Sequence, residues 1–518
     1  MNLLKTLASI SSMTLLSRIT GLLRESLFAR AFGAGAYTDA FIVAFRLPNL
    51  LRRLFAEGAF SQAFVPILAE FKNTRGPEAT KHLSDHVGTV LVWSTVLVSA
   101  IGIIGAPALI YMIASGLRAT PDAQQAAIWM TQLMFPYIAF MSFVALAGGI
   151  LNTWREFKIP AFTPVLLNLC LIAATLFLAP YLKQPIYAQA IAVFVGGILQ
   201  MALQVPPLVR IGMLPHIRLN PAISLRDEGV RRILKKMGPA VFAVSAAQIS
   251  LLINTSIASS LREGSVSWLT YADRLMEFPT AMLGVALGTI LLPSLAKANT
   301  DADHDEYSSL LDWGLRLTFL LAVPAAVGLA TLAEPLISVL FHYGKFDDTA
   351  AVESAKPLIA YSAGLLGIIL VKTLAPAFYA KQDIRTPVKI AIGVLAATQV
   401  MNVLFVYGVN LEVSGLALSI GLGACINAGF LYSGLRRRGI YQPQPGWWLF
   451  YGKLAIAAGV MGAAAWYGAQ QVPWLAMRSH MVMRVGALLG LVGGCAVLYF
   501  AVLFALGFRL KDFKRRAK

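Results

Sequence analysis

Apolar runs of about 20 residues, set apart by polar punctuation, fill most of this 518-residue chain. A run of that length, rising about 1.5 Å per residue, crosses the hydrocarbon core of a bilayer, where the backbone must satisfy its own hydrogen bonds. Helices and closed barrels alone meet that condition. These runs are continuously apolar rather than alternating, which excludes a barrel. Composition agrees: 58% of residues are hydrophobic and 13% charged, against roughly 25% charged in soluble domains. The chain reads as an all-α integral membrane protein. Cys170, Cys425 and Cys495 lie inside apolar runs and read as small core residues, neither disulfides nor metal ligands. The N-terminal MNLLKTLASISSM has no short apolar segment ending in a cleavage site, so it reads as the start of a retained helix.

The runs divide into fourteen spans at roughly 7–32, 37–62, 87–111, 128–151, 160–181, 187–208, 238–260, 267–292, 314–333, 356–379, 390–408, 414–435, 447–470 and 485–507. An even count puts both termini on one side. The N-terminal segment, the connections after even-numbered spans and the C-terminal tail hold 26 lysines and arginines, and the opposite side holds six. By the positive-inside rule both termini of this many-pass chain are cytoplasmic. Most of the +18 net charge is therefore topology signal rather than a nucleic-acid footprint. The tail RLKDFKRRAK is expected to rest on anionic lipid head groups.

Two segments recur at one offset in sequence number, 227. AFVPILAEF (63–71) resembles ILLPSLAKA (290–298), and WREFKIP (154–160) resembles KQDIRTP (381–387). The same offset lays Gly196 on Gly423, Arg210 on Arg437 and Gly212 on Gly439. Six spans per repeat make the two halves parallel, related by a pseudo-two-fold along the membrane normal, with a substrate site between them. The expected organisation is an N-lobe (1–209), a cytoplasmic linker (210–237), a C-lobe (238–440) and two added helices with a basic tail (441–518).

The first two spans carry Arg18, Arg24, Glu25, Arg30, Asp39, Arg46, Arg52, Arg53 and Glu57. Each such charge at the bilayer centre costs about 2.5–3.5 kcal/mol on the insertion scale. Asp39, Arg46 and Arg53 are seven apart and share a helix face over about 21 Å, interrupted by Pro48. Span 8 adds YADRLMEFP, with Asp273, Arg274 and Glu277, and span 7 adds Gln248, Asn254 and Thr255. Arg30, Arg53, Glu57 and Lys453 read equally well as snorkelling side chains near helix ends. The deep or clustered Arg18, Arg24, Asp39, Arg52 and Arg274 read as cavity residues. A basic excess in a cavity implies an anionic ligand, and the planar guanidinium fork suits a diphosphate.

TDAFIVAFRLPNLLRRLFAEGAFSQAFVPILAEF, GSVSWLTYADRLMEFPTAMLGVALGTILLPSLAK, KQDIRTPVKIAI and PQPGWW together closely resemble the MurJ (MviN) family of bacterial lipid II flippases, along the whole chain. That resemblance implies the multidrug/oligosaccharidyl-lipid/polysaccharide (MOP) exporter superfamily, two six-helix lobes opening alternately, and two extra helices holding an isoprenoid tail. It implies substrate contacts at Arg18, Arg24, Arg52 and Arg274, with the cavity acid at Asp39. Arg53, Asp273 and Glu277 are supporting cavity residues. It also implies lipid II as substrate, other cell-wall synthesis proteins as candidate partners, and no cofactor, the drive being a membrane potential or an ion gradient. No acid cluster in spans 7, 11 and 12 matches the sodium site of some relatives.

Three alternatives compete. A cationic-drug exporter of the superfamily calls for an acidic cavity, and this one is basic. A flippase for another lipid-linked oligosaccharide shares the basic cavity and is separated by the motifs alone. A polyprenyl-phosphate enzyme needs a metal or acid–base cluster at the membrane face. DADHDE (301–306) has Glu306 where a calcium loop needs glycine, and reads as a solvated loop. His82 and His86, with Asp85 between them, read as the face of a surface helix.

Overall fold

In the computed structural model residues 3–52 and 59–509 are described, as helices and their turns, with no strand among them. Two compact units divide the chain after Val266. The first comprises α1 (Leu3–Phe32), α2 (Ala36–Arg52), α3 (Ala59–Thr74), α4 (Gly76–Ile113), α5 (Pro121–Met134), α6 (Tyr137–Thr153), α7 (Lys158–Ala173), α8 (Tyr187–Arg210), α9 (Pro221–Leu225) and α10 (Glu228–Ser259). At the boundary begins α11 (Ser265–Pro279), followed in the second unit by α12 (Ala286–Thr300), α13 (His304–Thr331), α14 (Ala333–Phe341), α15 (Asp348–Ala380), α16 (Arg385–Val403), α17 (Glu412–Arg437), α18 (Trp447–Gln470) and α19 (Met481–Ala505).

Among the described residues, ten helical stretches are long and apolar enough to cross a membrane, so the chain is a multi-pass membrane protein. They match the spans expected at 87–111 through 187–208 and at 314–333 through 485–507. The four other expected spans fall on α1, α2, α10 and the α11–α12 segment; α1, α2 and α11 carry most of the intramembrane charge, and the span on α10 carries none. The helices also overrun the expected spans at their polar ends. Helix α4 starts at Gly76, α10 at Glu228 and α13 at His304, because each added stretch buries an apolar stripe: Leu83, Val230 and Ile233, and Tyr307 with Leu310. Aspartate caps secure such starts. Asp227 accepts from the Val230 amide (3.0 Å), Asp303 from Glu306 (2.9 Å) and Asp347 from Ala350 (2.8 Å).

The first unit's core centres on α3, whose Phe60, Phe64, Ile67 and Leu68 pack among α4, α6 and α10. The second has one core on α12, α13, α15 and α17, and another where α18 and α19 meet α13. At the repeat offset the buried residues correspond: Phe64 with Leu291, Leu68 with Leu295, Leu151 with Phe378, and Leu208 with Leu435. Backbone geometry repeats too. Helices α6 and α15 end with the left-handed residues Arg155 (φ 63°) and Gln382 (φ 60°), and with amide bonds Glu156 to Leu151 (2.9 Å) and Asp383 to Phe378 (3.0 Å). Helices α8 and α17 end at Gly212 and Gly439, both at φ 67°, with Met213 bonding Leu208 (2.9 Å) and Ile440 bonding Leu435 (3.0 Å). These are Schellman-type ends, so the repeat extends to dihedral angles. Helices α15 and α17 approach so closely that a Cβ on Gly364 would lie 2.0 Å from the Cα of Gly421.

The connection into α18 hangs on one carboxylate. Buried Asp312 accepts from Tyr441 Oη (2.7 Å), the Gln444 amide (3.1 Å) and Trp447 Nε1 (2.8 Å), while its other oxygen takes Arg316 Nε (2.8 Å). Arg316 also donates to the Pro445 carbonyl (2.9 Å). Burial, then the bond to Asp312, holds the Tyr441 hydroxyl in its protonated, donating form by pushing its pKa up. Removing one partner of such a network strands buried donors. Asp312→Ala should therefore destabilise the protein by about 3 kcal/mol, read as a lowered unfolding midpoint in detergent, with Asp312→Asn losing less.

Candidate functional site

Helix α1 ends at Gly33, whose positive φ (70°) and amide bond to the Ala29 carbonyl (2.8 Å) turn the chain into α2. Asp39 is thereby set in the first turn of α2, where it is 4% exposed. Its Oδ2 accepts from the amide of Gly264 (2.9 Å), in the turn between α10 and α11. Next to it the Ala36 amide donates to Glu263 Oε1 (3.0 Å). Ala36 and Glu263 are themselves 227 apart, so the two corresponding turns of the repeat are joined to each other. The cavity acid expected from the sequence acts here as a clamp on backbone.

Arg24, half-buried on α1, is held from two directions. Its Nη1 donates to Asn168 Oδ1 on α7 (2.9 Å), and its Nη2 pairs with Glu25. Asn168 also donates to the Ser17 carbonyl and to Thr20 Oγ1, both at 3.2 Å, so one amide fixes the arginine and the helix that carries it. Arg18 lies exposed on the same helix. Arg46 donates to Thr255 on α10, tying α2 to that helix. Arg52, the last residue of α2, donates from Nε to Asn49 Oδ1 (3.0 Å). Arg53 and Glu57 lie outside the described residues.

In the second unit, Asp273, Arg274 and Glu277 are all exposed on α11. Arg274 Nη1 pairs with Glu277 Oε2 at 3.3 Å. Beyond Pro279 the helix widens into a π segment (Thr280–Val285), a form that often marks functional sites. Lys372 reaches it from α15, its Nζ 3.5 Å from the Thr280 carbonyl and its chain lying over Gly284.

Sequence reading missed Asn168 and Lys372. Each is a lone polar residue in a strongly apolar run, and that isolation was the available signal. Neither unit assembles a nucleophile with a base around these arginines, among the described residues.

The sequence matches the family model described as "Lipid II flippase MurJ" over residues 28–485. The chain belongs to the MurJ family. A lipid II flippase MurJ from Burkholderia cenocepacia is 57% identical over 518 residues, covering 100% of both chains. A probable lipid II flippase MurJ from Vibrio cholerae is 40% identical over 520 residues, covering 99% of this chain and 98% of that one. Among solved structures, a lipid II flippase MurJ in an inward closed conformation matches at TM-score 0.78 and 22% identity, over 96% of this chain and 97% of the other. An inward-facing MATE transporter of the MOP superfamily matches at TM-score 0.66 and 15% identity, over 84% of this chain and 98% of its own. Family and fold are those of a transporter rather than an enzyme, and the helical architecture is of the MOP type.

The Asp39 clamp is testable on its own. Asp39→Ala removes a charged acceptor worth about 2 kcal/mol. Hydrogen exchange at the Gly264 amide, followed by mass spectrometry, should then accelerate by about 30-fold.

Proposed function

We propose that this chain moves lipid II, the undecaprenyl-diphosphate-linked peptidoglycan precursor, from the cytoplasmic to the periplasmic leaflet by alternating access. The observation that carries the reading is the 57% identity to a lipid II flippase over the full length of both chains. The chemistry fits. A diphosphate-linked sugar-peptide head group is too polar to cross hydrocarbon, and arginine forks offer paired donors to phosphate oxygens. Arg18, Arg24 and Arg52 of the first unit and Arg274 of the second bind the diphosphate during the cycle, with Arg53, Asp273 and Glu277 supporting. Glu25 and Glu277, which pair with Arg24 and Arg274, hold these cations while no substrate is bound and yield to phosphate on loading. Asn168 keeps Arg24 aimed through that exchange.

The proposed architecture has fourteen spans. Two parallel six-helix halves are supported by the shared cores and helix ends at the repeat offset; α18 and α19 are an addition. The MATE transporter covers 84% of this chain, a length close to that up to the end of α17. Gly486, Gly490 and Gly494 have open space where a Cβ would stand, which favours a face for the isoprenoid tail over close helix packing. Both termini lie in the cytoplasm of a bacterial inner membrane protein, by the lysine and arginine count, with anionic lipids under the basic tail.

The test uses purified protein in lipid vesicles and measures how much lipid II becomes accessible to an impermeant probe. Wild type should expose it. Arg24→Ala should slow the process by about 10- to 100-fold, the worth of a charged hydrogen-bond set. Its insertion should be unimpaired, since a span loses a charge costing about 2.5–3.5 kcal/mol. Transport by Arg24→Ala at the wild-type rate would remove Arg24 from the site.

A further inference from the structure

The connection between α8 and α10 lies along the first turns of α4 and is sewn to it. Lys81 bonds Asp85 and donates to the Leu214 carbonyl (2.8 Å); Asp85 accepts from the His216 amide (2.8 Å). Thr89 accepts from the Arg218 amide (3.1 Å), and Trp93 Nε1 donates to the Arg218 carbonyl (3.0 Å). These four residues, each four apart, form one stripe of α4. A neighbouring stripe carries His82 and His86. It is not the solvated surface face that the sequence suggested, because His86 is 3% exposed.

The two imidazoles converge, with Nε2 of His86 3.0 Å from Nε2 of His82. Nδ1 of His86 lies 2.8 Å from the hydroxyl of buried Ser224 on α9. When the ring donates its Nδ1 proton to that hydroxyl, the Nε2 lone pair is turned toward His82, as in metal-bound histidines whose other ring nitrogen is held by a neighbour. Asp227 closes the group. One oxygen caps α10 at the Val230 amide (3.0 Å), while Oδ2 faces His82 at 4.0 Å from Nδ1. One ligand atom from each of the three residues lies within 4.8 Å of the others. A tetrahedral zinc ion, with ligands at about 2.0–2.2 Å, needs them about 3.3 Å apart. The histidine pair is already near that spacing, and closing the set requires rotation of the exposed His82 and partly buried Asp227 side chains. Lys81, next to His82 in sequence, is held by Asp85.

We propose that His82, His86 and Asp227 form a binding site for a divalent transition-metal ion of the zinc class, with a fourth position open to water. Two neutral imidazoles and one carboxylate are the borderline donor set such ions take, and calcium or magnesium would want oxygens throughout. A bound ion would pin the start of α10 to α4, across the connection joining the two halves of the sequence repeat. The site is independent of the transported substrate.

The test takes the full-length, tag-free protein in detergent, stripped with EDTA, and titrates Zn2+ against a chromogenic chelator. Wild type should bind one equivalent and show a raised unfolding midpoint. His82→Gln alters an exposed ring, and Asp227→Asn keeps the helix cap. Each should weaken binding at least tenfold and abolish the midpoint shift, while leaving the metal-free midpoint near that of wild type. Absence of stoichiometric binding by wild type would overturn the site, leaving the histidine pair sharing a proton. Undiminished binding by His82→Gln would overturn it as well, by placing the ion on other histidines.

Discussion

A guanidinium among apolar helices must be solvated by something, and the means found for each arginine shape this molecule. Desolvation is the dominant cost at these positions. Arg24 is met by Asn168 and Glu25, and Arg46 by Thr255. Arg316 is met by Asp312 and the Pro445 carbonyl. Arg484, fully buried at the start of α19, donates to the carbonyls of His342 and Trp474, each at 3.2 Å. Most of these bonds, though not Arg24 to Glu25 or Arg316 to Asp312, also fasten two elements together, so the groups that solvate the charges supply much of the specific joinery. Arg18 and Arg274 differ in standing exposed.

The repeat gives the same joinery twice, with different ornaments. Helix ends, left-handed residues and core contacts recur at the one offset, yet the polar details have diverged. Lys72 donates to the Thr153 carbonyl (2.9 Å) and lies over Trp154, whereas the corresponding pair is Lys381 donating to Asn299 (3.1 Å). Asp383 takes Arg438 (2.7 Å) at one helix end, an ion pair with no counterpart between Glu156 and Ile211. The bond to Thr386 and the Arg438 guanidinium hold the Asp383 carboxyl at about 2. Its contribution to stability is therefore present above the ordinary aspartate range and fades as pH falls toward that value.

Apolar run length made the ten long spans legible in the sequence, because solvent and hydrogen-bond closure leave a chain like this few choices. Helices α1, α2 and α11 were legible as helices although charges interrupt their apolar runs. The extensions of α4, α10 and α13 were missed since their stripes are half polar. Partners distant in sequence were the other blind spot. Nothing near Arg24 announces Asn168, 144 residues away. His82 and His86 looked like a surface face because Ser224 and Asp227 come far later in the chain. Asp39 was recognised as special, while its use as a backbone clamp depended on a turn 225 residues on.

The central claim is that this chain carries lipid II by means of arginines in otherwise apolar helices. Its most direct test is replacement in a living cell: a bacterium whose own lipid II flippase is depleted, supplied with this chain and scored for lipid II exposed on the periplasmic face. Wild type should restore both exposure and growth. A variant with Arg24 and Arg274 changed to alanine, present in the membrane at equal abundance, should restore neither. Failure of the wild-type chain, or full rescue by the doubly substituted one, would contradict the claim.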